Sequence, residues 1–161
     1  FPAKKAPVLL KKHLQLKSFS SSEELFSYLH SYKGAMKLFG MYAGNGAFYA
    51  LHIKDTKKKK SVKREKIGKD LDVSMLHNVV IDNVLGLSLE EKDVFYTRDA
   101  QEAISVVDAD QHKLAFFLKA PTVFEVKKVA QAGEKMPHKS TYFYPKLLTG
   151  LVINSLEEVC R

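Results

Sequence analysis

The stretch "MKLFGMYAGNGAFYALHI", Met36 to Ile53, decides the fold. Met36 to Ala43 and Ala47 to Ile53 are strand-like runs of aliphatic and aromatic side chains, separated only by Gly44, Asn45 and Gly46. Small residues that tolerate positive φ are what a tight antiparallel connection needs, so the spacing predicts a β-hairpin in the N-terminal half. Upstream, Leu14 and Leu16 alternate with polar neighbours and predict a short strand. Ser20 with Glu23 forms a capping-box pair ahead of Leu25, Leu29 and Tyr32 at helical spacing, and Gly34 ends that helix.

Downstream, Val73, His77, Val80, Ile81 and Val84 make one apolar helical stripe that Gly86 can close. Val94 to Thr97 then reads as a strand, and Asp99 with Glu102 caps a helix carrying Ala103, Ile104 and Val107. The same grammar repeats at once: Lys113 to Lys119 as a buried strand, Thr122 with Glu125 as a capping box, then Val126, Val129 and Ala130 facing inward until Gly133. Tyr142 to Tyr144 and Leu151 to Asn154 are candidate closing strands. Together these elements predict an α+β or mixed α/β fold, with four helices packed on a mixed or mostly antiparallel sheet. No internal linker divides the chain, so residues 1–161 read as a single domain.

With 161 residues, 45% hydrophobic and 27% charged, the chain can bury a core of its own. Leu114 to Leu118 is as long an apolar run as it offers, far short of the roughly 20 residues that span a bilayer, so no membrane association is expected. Its one cysteine, Cys160, cannot form an internal disulfide, and a reducing cytoplasm is the expected location. The opening residues, Phe1 and Pro2, suggest that a longer protein continues upstream. A net charge of +8 is concentrated in Lys54 to Lys69, which holds nine basic residues against two acidic ones. That segment reads first as a flexible, solvated loop of self-repelling charges. The alternative is a basic patch of Lys57, Lys58, Lys59, Lys60, Lys63 and Arg64 that contacts nucleic acid.

Chemistry is most concentrated in "GEKMPHKSTYFYPKLLTGL", Gly133 to Leu151. Gly133 ends a helix, and Pro137 and Pro145 limit regular structure on either side of the polar run. Such a loop can present Lys139, Ser140 and Thr141 as donors to a phosphate or carboxylate, with Glu134 and Tyr142 beside them. His77 follows Asp72 and precedes Asp82 and Asn83, but its apolar neighbours favour a partly buried packing role. Asp70 and Asp72 read as helix caps rather than cation ligands, and no Cys/His spacing suggests a metal site. The chain carries no P-loop, dinucleotide-binding fingerprint, nucleophile elbow or zinc-protease signature.

The runs "LFGMYAGNGAFYAL", "LDVSMLHNVVIDNVLGL" and "AGEKMPHKSTYFYPKLLTGL" also carry a resemblance. In order and spacing, from about Leu14 to Asn154, the chain resembles the C-terminal part of the bacterial and archaeal domain-of-unknown-function family numbered ten-fifteen, often labelled ParB-like. Met136, Pro137, Lys139, Ser140 and Thr141 are the most specific part of it. The resemblance implies a missing N-terminal half carrying an Asp-Gly-His-His-Arg motif similar to that of ParB-like and sulfiredoxin-like proteins, which include free-serine kinases. It therefore implies part of a phosphotransferase for a nucleotide or small phosphorylated metabolite, with the nucleotide bound as a Mg complex in the full-length protein. In that reading Lys139 neutralises phosphate, Ser140 and Thr141 donate hydrogen bonds, Glu134 orients the ligand, and this part alone is inactive. The alternative it implies is a ParB-like nucleic-acid-binding or purely structural module.

Overall fold

The computed structural model of the chain describes residues 2–53, 68, 71–110, 112–137 and 139–142. A 3-10 turn, Ala3–Lys5, leads into α1, Ala6–His13, and then β1, Gln15–Phe19. Helix α2, Ser22–Ser31, precedes the hairpin of β2, Lys37–Tyr42, and β3, Phe48–Ile53. Helix α3, Asp72–Met75, runs on as a π-helix over Leu76–Val84, and a 3-10 turn follows at Glu91–Asp93. The described part ends with α4, Ala100–Asp108, strand β4, Ala115–Phe117, and α5, Val123–Gln131. The predicted strands at 143–144 and 151–154 lie outside the described residues.

The fold is α+β. Its four described strands form one sheet in the order β1-β3-β2-β4, every pairing antiparallel. The hairpin stands as predicted: Lys37 lies opposite Ile53 and Tyr42 opposite Phe48, and Gly44, Asn45 and Gly46 all take positive φ, at 82°, 52° and 71°. Because side chains alternate across a strand, the hairpin has two buried faces. Phe39, Met41, Leu51 and Ile53 pack with Ala6 and Leu10 of α1 and with the π-helix. Leu38, Tyr42, Phe48 and Ala50 pack on the other side with Leu25 of α2 and Val107 of α4. Helices thus cover both faces, and the strands read as continuous apolar runs for that reason. Gly40 lets α2 come close: a Cβ there would lie 2.9 Å from Leu29 Cδ1 and 3.1 Å from Phe117 Cβ.

Four expectations shift. Helix α1 was not expected, so five described helices stand where four were predicted. Helix α2 is capped one residue later than predicted: Ser21 Oγ accepts from the Glu24 amide, and the Glu24 carboxylate accepts from the Ser20 amide. The helix predicted through Val73 and Val84 is wound differently. Its buried residues are Leu71, Met75, Leu76, Val80, Ile81 and Leu85, two sets spaced by fives, while Val73, His77 and Val84 are only half-buried. Spacing by five suits i→i+5 hydrogen bonding, and the Leu85 amide donates to the Val80 carbonyl at 2.9 Å. Val94 to Thr97 is not a strand: no described strand pairs with it, and Phe95 and Tyr96 are 60% and 43% exposed.

Candidate functional site

The polar segment after α5 is placed by main-chain hydrogen bonds. Gly133, at φ 69°, donates its amide to the Ala130 carbonyl, and the Glu134 amide donates to Val129. Helix α5 therefore stops where the glycine allows a left-handed residue. Beyond it, the Pro137 carbonyl accepts both the Ser140 amide, at 3.2 Å, and the Ser140 hydroxyl, at 2.7 Å. A turn closes over these four positions with Lys139 at φ 54°, a region that residues other than glycine seldom occupy.

That turn separates the predicted donors. Ser140 is buried and its proton is committed to Pro137, whereas Lys139 is exposed and Thr141 half-buried. The Glu134 carboxylate accepts from the Gly68 amide at 2.8 Å. Tyr142 is half-exposed, with the Arg98 guanidinium 4.0 Å above its ring. Ser140 lines a narrow crevice of about 20 Å³ together with Asp72, Lys119, Glu125 and Met136. That volume accommodates a water but not a phosphate.

Residues from four other parts of the fold meet at this crevice. Lys37 opens β2 and Asp72 opens α3, and their side chains pair at 2.6 Å, both partly buried. Glu125 closes the capping box of α5 as predicted, its carboxylate taking the Thr122 amide and hydroxyl, both at 2.8 Å. The Thr122 amide chiefly, then its hydroxyl and the nearby Lys37, outweigh burial and hold that carboxyl below its ordinary range. Lys119 follows β4 at the rim. Among the described residues neither Lys119 nor Lys139 makes an ion pair.

Sequence reasoning missed Lys37, Lys119 and Arg98. Arg98 stands between the predicted strand Val94 to Thr97 and the Asp99 cap, and Lys119 ends the predicted strand Lys113 to Lys119, but no spacing marked either as a site residue. His77 sits half-buried near the start of the π-helix, and Asp72 is paired with Lys37 instead. Lys57, Lys58, Lys59, Lys60, Lys63 and Arg64, and also Asp70, lie outside the described residues. Among the described residues no three His, Cys, Asp or Glu side chains are grouped to hold a metal ion, and no helix is long and apolar enough to cross a membrane.

A second polar feature is built into the sheet itself. His52 of β3 is 9% exposed, shares a hydrogen bond of 3.2 Å with the Tyr28 hydroxyl through Nε2, and leaves Nδ1 buried without a partner. Tyr28 and Tyr32 meet its ring edge-on, and Lys17 holds its ammonium 4.1 Å above the Tyr28 ring. Burial first, and the Lys17 charge second, push the imidazole pKa below 6.5.

No family model, no curated protein and no solved structure matches the chain.

Proposed function

We propose that the chain is a phosphate-handling domain that works with further polypeptide in the cytoplasm, contributing an anion contact to a phosphotransferase. One observation carries this reading. Lys119 borders the crevice that Ser140 lines, Lys139 is the chain neighbour of Ser140, and both cations lack an acidic partner among the described residues. Lys37, by contrast, is already neutralised by Asp72. An incoming anion would meet the uncompensated ammonium of Lys119 at the crevice and could draw on the exposed Lys139, and hydrogen bonds to charged groups are strong.

The test is calorimetry with inorganic phosphate and ATP at low ionic strength, on wild type, Lys139→Ala and Lys119→Ala. Each substitution should weaken binding by about tenfold or more, the worth of one charge-assisted hydrogen bond. Equal affinities in all three proteins exclude this loop as the anion site.

The second reading is nucleic-acid binding through the basic segment, favoured by its nine cations against two acids. Deleting residues 57–66 and measuring DNA retention across a salt series separates the two, because phosphate-dominated contacts weaken steeply with salt. Retention that is unchanged by the deletion rules out that segment.

A further inference from the structure

We infer that the outer edge of β1 is a docking strand for a separate polypeptide segment, extended and alternating acidic with apolar residues, which joins the sheet beside it. This inference is independent of the anion reading above. β1, Gln15–Phe19, closes one side of the sheet and pairs only with β3 among the described residues. In an antiparallel pair, alternate residues turn their amide and carbonyl away from the partner strand. Among the described residues no hydrogen bond beyond the β3 ladder satisfies those groups in residues 15–19. The helices do not close the edge either: Gln15, Lys17 and Ser18 are exposed, while α1 and α2 pack on the two faces of the sheet. On the opposite side of the sheet β4 offers a shorter edge, with only three residues, Ala115–Phe117.

An exposed edge strand commonly carries a lysine that blocks such pairing. Here that lysine is laid back onto the α2 face, its ammonium 4.1 Å from the Tyr28 ring centroid and 5.2 Å from that of Phe19. The backbone edge is left clear, with the positive charge of Lys17 on one face and half-buried Leu16 on the other.

Charge selects the partner. Residues 2–22, which build α1 and β1, hold five lysines and no Asp or Glu. Lys4, Lys5, Lys11, Lys12 and Lys17 are all exposed, and none has an acidic partner among the described residues. Glu24, just beyond, is turned to the Ser20 amide at the start of α2. A strand laid against β1 sets its residues opposite those of β1 on the same face. An acid opposite Lys17 and an apolar residue opposite Leu16 complement it, which gives the alternating pattern. A second copy of this chain does not fit, because two-fold antiparallel pairing about the centre of the strand sets Lys17 against its own equivalent, and directly opposed like charges are destabilising. A DNA backbone matches the lysines but carries no donor for the outward carbonyls, whereas an extended polypeptide supplies donors and acceptors alternately.

The probe is an acetylated, fluorescein-labelled peptide of about seven residues alternating Glu and Val, long enough to span a strand. Its controls are the same sequence with alternate amides N-methylated, a Lys-Val counterpart, and oligothymidylate. Binding to the whole chain is followed by fluorescence anisotropy at low ionic strength and by the NMR amide shifts of residues 15–19. The Glu-Val peptide should bind and move those shifts, and the Lys-Val peptide should not bind. N-methylation, which keeps the charges and removes ladder donors, should weaken binding about tenfold or more. Lys17→Glu should weaken it about fivefold or more, since attraction across the pair becomes repulsion. Lys11→Gln combined with Lys12→Gln leaves β1 untouched, should weaken binding to a smaller degree, and serves as the second variant should Lys17→Glu unfold. No binding of the Glu-Val peptide, equal binding of its N-methylated form, or unmoved shifts at residues 15–19 overturns the proposal. Oligothymidylate that displaces the peptide and moves the same shifts also overturns it, in favour of a general polyanion surface.

Discussion

Acidification should destabilise this protein through His52, and the sign follows from its surroundings. Burial and the Lys17 charge lower the folded-state pKa below 6.5, so at mildly acidic pH the unfolded chain binds a proton that the folded chain refuses. Stability from this residue is full above pH 6.5 and falls as the pH drops toward the folded pKa. While one proton separates the two states, the slope approaches about 1.4 kcal/mol per pH unit. Protonation is resisted by the burial that Tyr28 and Tyr32 help to provide, by the like charge of Lys17, and by a buried Nδ1 that has no hydrogen-bond partner. The assay is urea denaturation of wild type and His52→Leu at pH 7.5, 6.5 and 5.5. The informative quantity is the difference between the two proteins, which isolates the contribution of His52. Wild type should lose more stability than the variant between pH 6.5 and 5.5. Parallel pH dependence, or a wild type that gains on the variant in acid, would refute the assignment of a neutral, desolvated imidazole.

Tyr42→Phe should lower stability by about 1.5 kcal/mol in denaturant melts, because its hydroxyl donates to Asp108 at 2.5 Å and accepts from the Gly46 amide at 3.2 Å, tying the hairpin turn to the end of α4. Gly40→Ala should cost about 1–3 kcal/mol by overpacking, with a lower Tm in thermal melts, since the new methyl meets Leu29 at 2.9 Å and Phe117 at 3.1 Å; an unchanged Tm would mean that α2 is free to back away from the sheet.

The parts of the fold that could be read from sequence are those whose cause is local. Gly44, Asn45 and Gly46 turn the chain by their own backbone freedom, and the Thr122–Glu125 and Asp99–Gln101 caps are made by residues within three positions of each other. The start of α2 was misplaced by one residue because Ser20, Ser21 and Ser22 are chemically equal as caps. Full burial of Leu25 against the sheet, a tertiary contact, accompanies the register seen. The π-helix was illegible for a related reason. The sequence holds two overlapping stripes, one at helical spacing through Val73, His77, Val80, Ile81 and Val84, the other by fives through Leu71, Met75, Leu76, Val80, Ile81 and Leu85. The second buries larger apolar side chains against α1 and the sheet, and area removed from water scales with that size. Val94 to Thr97 has strand-like composition, yet composition does not supply a neighbouring strand, and exposed Phe95 and Tyr96 are the result.

The site obeys the same division. Lys139, Ser140 and Thr141 are adjacent in sequence, but a turn sends consecutive side chains in different directions: the hydroxyl of Ser140 returns to Pro137 while Lys139 faces solvent. What lines the crevice with Ser140 instead comes from α3, the β4–α5 connection and α5, in Asp72, Lys119 and Glu125, with Lys37 of β2 paired to Asp72 behind them. No spacing rule links those positions, because the sheet and its helices bring them together. Their charges also do unequal work. Asp72 satisfies Lys37, and Glu125 is held by Thr122, so the inner charges serve the fold. Lys119 and Lys139, by contrast, have no acidic partner among the described residues. The polar run, expected as one donor cluster, is divided by its own turn: it holds a lysine out at one end and a tyrosine at the other, with a buried serine between them as the pin.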